Sequence, residues 1–166
     1  MPESLNLSRR SPMIKRIVVA LPDDEKLLPA LYDWGARFDW THVEEVHFLH
    51  IVKKIITNLE FGIVEMPDEE TYQDMIPTLD QFMRDESQKI IPFNFNGKTY
   101  YHLKKDFDPE EETEKILKAL NADLVVVSPQ DRHGFTSLFH RSFTNFMLKH
   151  SPCDVYIAKA EHTPRP

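Results

Sequence analysis

Two short runs in this chain contain almost nothing that water would choose to face. Ile17, Val18, Val19 and Ala20 form one, and Leu124, Val125, Val126 and Val127, led by Asp123, form the other. A strand exposed on one side alternates apolar and polar residues. An unbroken β-branched run is the mark of a strand covered on both faces, which is the situation inside a parallel sheet flanked by helices. Each run stands in front of a helix-like stretch, so the chain is constrained toward an alternating α/β architecture from the outset.

The segments between these runs keep the alternation. After the first strand, placed at Ile14 to Leu21, Pro22 ends the run and Asp23 or Asp24 can cap the next helix. In that helix Leu27, Leu28, Leu31, Trp34 and Phe38 recur at helical spacing, and Pro29 is tolerable near its first turn. Val43 to Val52 reads as a second central strand. Lys53 to Met66 contains Ile55, Ile56, Leu59, Phe61 and Ile63 without a decisive period, and is open between a loop and a lid. Asp68 to Lys89 is a helix whose apolar face includes Tyr72, Met75, Ile76, Leu79, Phe82 and Met83. Pro77 predicts a kink or a late true start within it. Ile90 to Lys105 reads as β-like, with a hairpin-type turn signal at Asn96-Gly97 and a third strand over Thr99 to Leu103. Asp108 is a ready N-cap, Pro109 suits the first helical position, Glu110 to Glu112 favour the positive helix end, and Asn121 can close the helix. Ile116, Leu117 and Leu120 supply its buried stripe. A loop from Ser128 to Thr136 follows the next strand. A final helix runs from about Ser137 to His150, with Phe139, Phe143, Phe146 and Met147 inward, and Ser151-Pro152 stops it before a fifth strand at Asp154 to Lys159.

This order predicts a flavodoxin-like or Rossmann-like three-layer sandwich around a five-stranded, mostly parallel sheet. Residues 1–13 read as a disordered leader, 14–160 as a single domain and 161–166 as a tail. In such sheets ligands sit at the carboxyl ends of the strands.

Composition narrows the function. The chain of 166 residues carries 20 basic and 27 acidic residues, a net charge of −7, which argues against a general nucleic-acid backbone binder. One cysteine excludes an internal disulfide and any zinc site of several cysteines. No apolar run reaches the roughly 18–20 residues that span a bilayer, and a cytoplasmic protein is the expectation, with no membrane and no nucleic-acid partner. The four glycines are few for a protein that would cradle phosphates with backbone amides.

The segments Ile14–Asp24 (IKRIVVALPDD), Val46–Val52 (VHFLHIV), Asp108–Leu117 (DPEEETEKIL) and above all Asn121–Lys159 resemble, in order and spacing, the universal stress protein family. The resemblance spans roughly residues 14 to 160 and is weakest between Lys53 and Lys98. It implies a sheet order of 3-2-1-4-5, a homodimer joined through the fifth strands at Asp154–Lys159, and a stress-response or signalling role with an unidentified regulatory partner. It further implies ATP or AMP binding in many members, through a glycine after the fourth strand, a second glycine three positions on, and a glycine followed by a hydroxyl ten positions later. Mapped onto this chain, the glycines fall on Ser128, Asp131 and Arg141, and only the hydroxyl survives, as Ser142. The family's acidic residue after the first strand falls near Pro22 or Asp23.

These departures have physical consequences. Glycine lets backbone approach a phosphate closely. Asp131 puts a carboxylate where phosphates would lie, and like charges repel in a partly desolvated cleft. Arg141 is bulky there, although its guanidinium can hold an anion. Gly134 is retained and permits the loop to turn. The expectation is a non-enzymatic regulatory module with a degenerate nucleotide site and no bound cofactor. The alternative is an ATP- or AMP-binding member with an altered phosphate loop, contacted by Asp23, Ile51, the stretch from Ser128 to Gly134 and Ser142, or an anion site made by Arg132, Arg141 and His133.

Other chemistry-bearing residues read as structural. His133 and His140 lack a carboxylate–histidine spacing typical of metal sites, and no metal is expected. His47 and His50 sit three apart on a strand and so point to opposite faces. Cys153 reads as a small buried hydrophobe rather than a nucleophile. A hydrolase or transferase would need a nucleophile–base pair that the sequence does not display.

Overall fold

A computed structural model describes residues 13–129 and 143–159. The apolar runs are central strands. β1 (Arg16–Ala20), β2 (Glu45–Lys53), β5 (Lys98–Asp106), β6 (Leu124–Val127) and β7 (Asp154–Ile157) form a five-stranded sheet in the order β5-β2-β1-β6-β7. Every pairing in it is parallel. With β3 (Ile55–Leu59) and β4 (Gly62–Met66) set aside as a separate sheet, this is the expected 3-2-1-4-5 order.

Alternation along the strands divides the core into two layers. Ile17, Val19, Val46 and Phe48 face one way and pack with Leu31 and Trp34 of α1 (Leu28–Arg37) and Met83 and Ile90 of α2 (Glu69–Ile90). Val18, Leu49, Val125 and Val127 face the other way, onto Leu117 of α3 (Pro109–Leu120) and Phe146 and Met147 of α4 (Phe143–His150). Burying each such side chain contributes about 1.5–3 kcal/mol, so the sandwich is held mainly by two apolar layers.

Local chemistry sets the helix ends. Asp24 accepts from the Lys26 amide at 2.9 Å and starts a short 3-10 turn, Glu25–Leu27, which leads into α1 with Pro29 in the first turn. Asp108 accepts from the Glu111 amide at 3.0 Å, Pro109 opens α3, and Asn121 ends it in the left-handed region at φ 52°. At the opposite end of the sheet from the strand termini that matter for ligands, Asp123 Oδ2 accepts from the amides of Lys15 and Arg16, both at 2.9 Å. That contact ties the entries of β1 and β6 together.

Several expectations need correction. The stretch after Lys53 is neither a loop nor a simple lid. It is an antiparallel hairpin, β3 (Ile55–Leu59) and β4 (Gly62–Met66), outside the main sheet. Helix α2 does not start late: Asp68 caps it through the Thr71 amide at 2.8 Å, and Pro77 lies inside it. Ile90 belongs to α2 rather than to a strand. Asn96-Gly97 does not make a hairpin, because the strand that follows pairs in parallel with β2. Gly97 is there for room: a Cβ would fall 2.6 Å from the Glu44 carbonyl oxygen. Gly35 serves the same need between helices, where a Cβ would lie 2.1 Å from the Ile90 carbonyl oxygen. The fifth strand closes at Ile157 rather than Lys159.

Candidate functional site

The carboxyl ends of β1, β2 and β6 lie side by side because β1 is the strand between the other two. Asp23, Ile51 and Ser128 therefore lie at the same, carboxyl end of the sheet, although they are far apart in sequence. Asp131, Arg132, His133, Gly134, Arg141 and Ser142 lie outside the described residues, as do Phe135, Phe139 and His140.

Asp23 sits in the turn after β1 with its side chain 78% exposed. Its Oδ1 is 3.3 Å from Nε2 of His50, a buried residue of β2. The other ring nitrogen of His50, Nδ1, is 3.2 Å from the Leu21 carbonyl oxygen. A carbonyl only accepts, so Nδ1 is the donor in that contact. The imidazole thus donates to the turn backbone; with its single proton on Nδ1 it has none on Nε2 to give, so the Asp23 carboxylate is its neighbour rather than a hydrogen-bonded partner. His50 is also placed edge-on to Phe82 of α2, which fits the structural role expected of it.

Ile51 is half-buried and packs against the α3/α4 layer. Ser128, just past β6, is only 7% exposed, and its hydroxyl has no hydrogen-bond partner among the described residues. Its carbonyl oxygen is 3.5 Å from Oγ1 of Thr144, a buried residue at the start of the described part of α4. Thr144 is a second residue that sequence reasoning passes over, since a lone threonine in an apolar helix carries no motif.

The remaining candidates behave as structural groups. His47 is on the opposite face from His50, stacked on Tyr100 and His102, with Nδ1 2.9 Å from His102 Nε2 and Nε2 3.1 Å from Glu45. The Arg16 guanidinium donates to Glu45 at 2.7 Å and, with His47, holds that carboxyl below the usual carboxylate range. Burial, then the neighbouring His47, pushes the His102 imidazole down. Cys153 is half-buried beside the Ser151 hydroxyl, and burial pushes its thiol up, the wrong direction for a thiolate nucleophile. Among the described residues no group of three His, Cys, Asp or Glu side chains is placed to hold a metal ion, and no helix is long and apolar enough to cross a membrane.

A parallel sheet of this order with helices on both faces defines the doubly wound α/β class, in which ligands sit at the carboxyl ends of the strands. A model of the universal stress protein family matches residues 13–159, and the chain belongs to that family. Solved structures share the fold. A hypothetical protein whose biochemical function was assigned from its structure is 18% identical, over 91% of this chain and 99% of that one, at a TM-score of 0.65. A universal stress protein in complex with cAMP is 14% identical, over 87% and 95%, at 0.59. A family protein from Arabidopsis thaliana with AMP bound is 16% identical, over 92% and 96%, at 0.55. No curated protein matches the chain in sequence.

Proposed function

We infer that this chain is a non-enzymatic regulatory universal stress protein whose nucleotide site no longer holds a triphosphate in the family's usual way. The observation that carries this reading is Ser128. Where the family pattern has a glycine, this chain has a buried side chain at the end of β6, and the added Cβ and hydroxyl occupy space through which backbone amides would approach phosphates. Asp131 and Arg141, at the other glycine positions in the sequence, act in the same direction. Recognition through loop faces and through a homodimer joined at β7, with a regulatory partner protein, completes the reading; sedimentation of a Tyr156→Lys variant, altered on the exposed edge of β7, tests the dimer by a fall in mass.

A second reading is favoured by the unpartnered hydroxyl itself. A buried hydroxyl without a partner among the described residues is costly, and Ser128 Oγ together with the exposed Asp23 carboxylate offers one donor and one acceptor to a nucleoside monophosphate. The solved neighbours with AMP and cAMP support this direction. Calorimetric titration of the purified protein with ATP and with AMP separates the readings. The first expects no micromolar ATP binding, and stoichiometric ATP overturns it. The second expects AMP to bind and Ser128→Ala to weaken it.

A further inference from the structure

The hairpin β3–β4 departs from every habit of the rest of the chain. Each residue of β3 is exposed, and Ile55, Ile56, Leu59, Phe61, Ile63 and Met66 all present apolar side chains to solvent, Phe61 at 86%. They are divided between the hairpin's two faces, with Ile55, Leu59 and Met66 on one and Ile56 and Ile63 on the other. Among the described residues β3 pairs only with β4, so its outer edge is unpaired. Its sequence, IITNL, has no charge and no proline, the usual devices that keep an edge strand from pairing.

The hairpin is also held rigidly at its base and is charged in opposite senses at its two ends. The Lys54 amide donates to the Asp106 carbonyl at 2.8 Å, and its ammonium lies 2.6 Å from Glu65 and over the ring of Phe107. Lys105 joins Glu65 at 3.5 Å and Glu69 at 2.9 Å. The base thus gathers Lys53, Lys54, Lys104 and Lys105, while the tip carries Glu60, which makes no ion pair among the described residues.

We propose that the hairpin is a self-association surface, in which β3 of one copy pairs antiparallel with β3 of a second copy about a two-fold axis through Thr57. A two-fold contact requires each residue to meet its symmetric counterpart. In this register Ile55 of each copy lies opposite Leu59 of the other, on the same face as Thr57. The tip of each hairpin then falls at the base of its partner. This brings acidic Glu60 to the lysine-rich base and the exposed Phe61 toward the half-exposed Phe107. Edge chemistry, apolar register and charge agree on a second copy as the occupant. The surface lies beyond β2 and β5, at the far end of the sheet from β7, so it is independent of a β7-joined dimer.

The test uses the full chain. With Cys153→Ser removing the native thiol, Thr57→Cys is expected to form a covalent dimer under mild oxidation at micromolar protein, and Lys115→Cys on exposed α3 is not. In sedimentation equilibrium, Thr57→Lys places like charges opposite each other at the axis, and about tenfold weaker self-association is expected, with an unchanged circular dichroism spectrum. The crosslink decides: no covalent dimer at Thr57, or equal crosslinking at Lys115, overturns the proposal. A hairpin reserved for a different protein would leave this chain uncrosslinked at Thr57 and would overturn it equally. Loss of mass in a β7 variant with the Thr57 crosslink intact supports the hairpin contact separately.

Discussion

β1 and the β3–β4 hairpin are built from similar residues and end in opposite environments. Ile17, Val18 and Val19 have no exposed surface, while Ile55, Ile56 and Ile63 are exposed. Intrinsic preference for extended backbone is common to both. The difference lies in the neighbours. β1 is flanked by β2 and β6 and roofed by helices on both faces, whereas among the described residues the hairpin strands pair only with each other. Isoleucine and valine therefore signal a strand in both places but signal core in only one.

That contrast can be broken or sharpened by substitution. The largest effect is expected from Val126→Asp in β6, which buries an unpaired charge between two layers. A loss of at least about 4 kcal/mol, or failure to fold, is expected by urea denaturation. The matching change in the hairpin, Ile63→Asp, is expected to alter the stability of the dilute chain by no more than about 0.5 kcal/mol. Similar losses at both sites would mean that the hairpin is part of the cooperative core. Between these extremes, Gly35→Ala adds a methyl where α1 meets the Ile90 carbonyl. It is expected to cost about 1–3 kcal/mol by overpacking, and a neutral or raised midpoint would show that the two helices can separate freely.

A third region lies between the two regimes. On edge strand β5, Tyr100 is exposed and His102 half-covered, with His47, Glu45 and Lys104 as its charged or titratable neighbours. Because the folded His102 sits below its ordinary value, the unfolded chain binds its proton first as pH falls. Its contribution is full above about pH 6.5 and is lost as the pH drops through the lower folded value. The urea midpoint is expected to fall on acidification below that point. His102→Gln is expected to flatten the dependence, and an identical slope in the variant would assign it to other groups.

Much of the fold was legible because its determinants are local. The apolar runs, Asp108-Pro109 and Asn121 are each a few residues long and carry their own physics. The hairpin was not legible, since Lys53 to Met66 becomes two strands only by pairing Ile55 with Met66 and Leu59 with Gly62, and its alternation is blurred by apolar residues on both faces. Asn96-Gly97 misled for the complementary reason: a turn signal states that the chain bends, not which strand it joins next. At the site, Asp23, Ile51 and Ser128 could be singled out, but the placement of His50 beside Asp23 and the approach of Thr144 to Ser128 arise from residues brought together across the sheet.

What the sequence by itself determined is the alternation of strands and helices and the helix ends, which are properties of neighbouring residues. Tertiary structure alone decided that the Ser128 hydroxyl is buried without a partner among the described residues, that His50 stands beside Asp23, and that one apolar strand pair stays outside the core. Those outcomes depend on which surfaces meet after the chain has closed over long distances, and burial is a property of that meeting rather than of any segment.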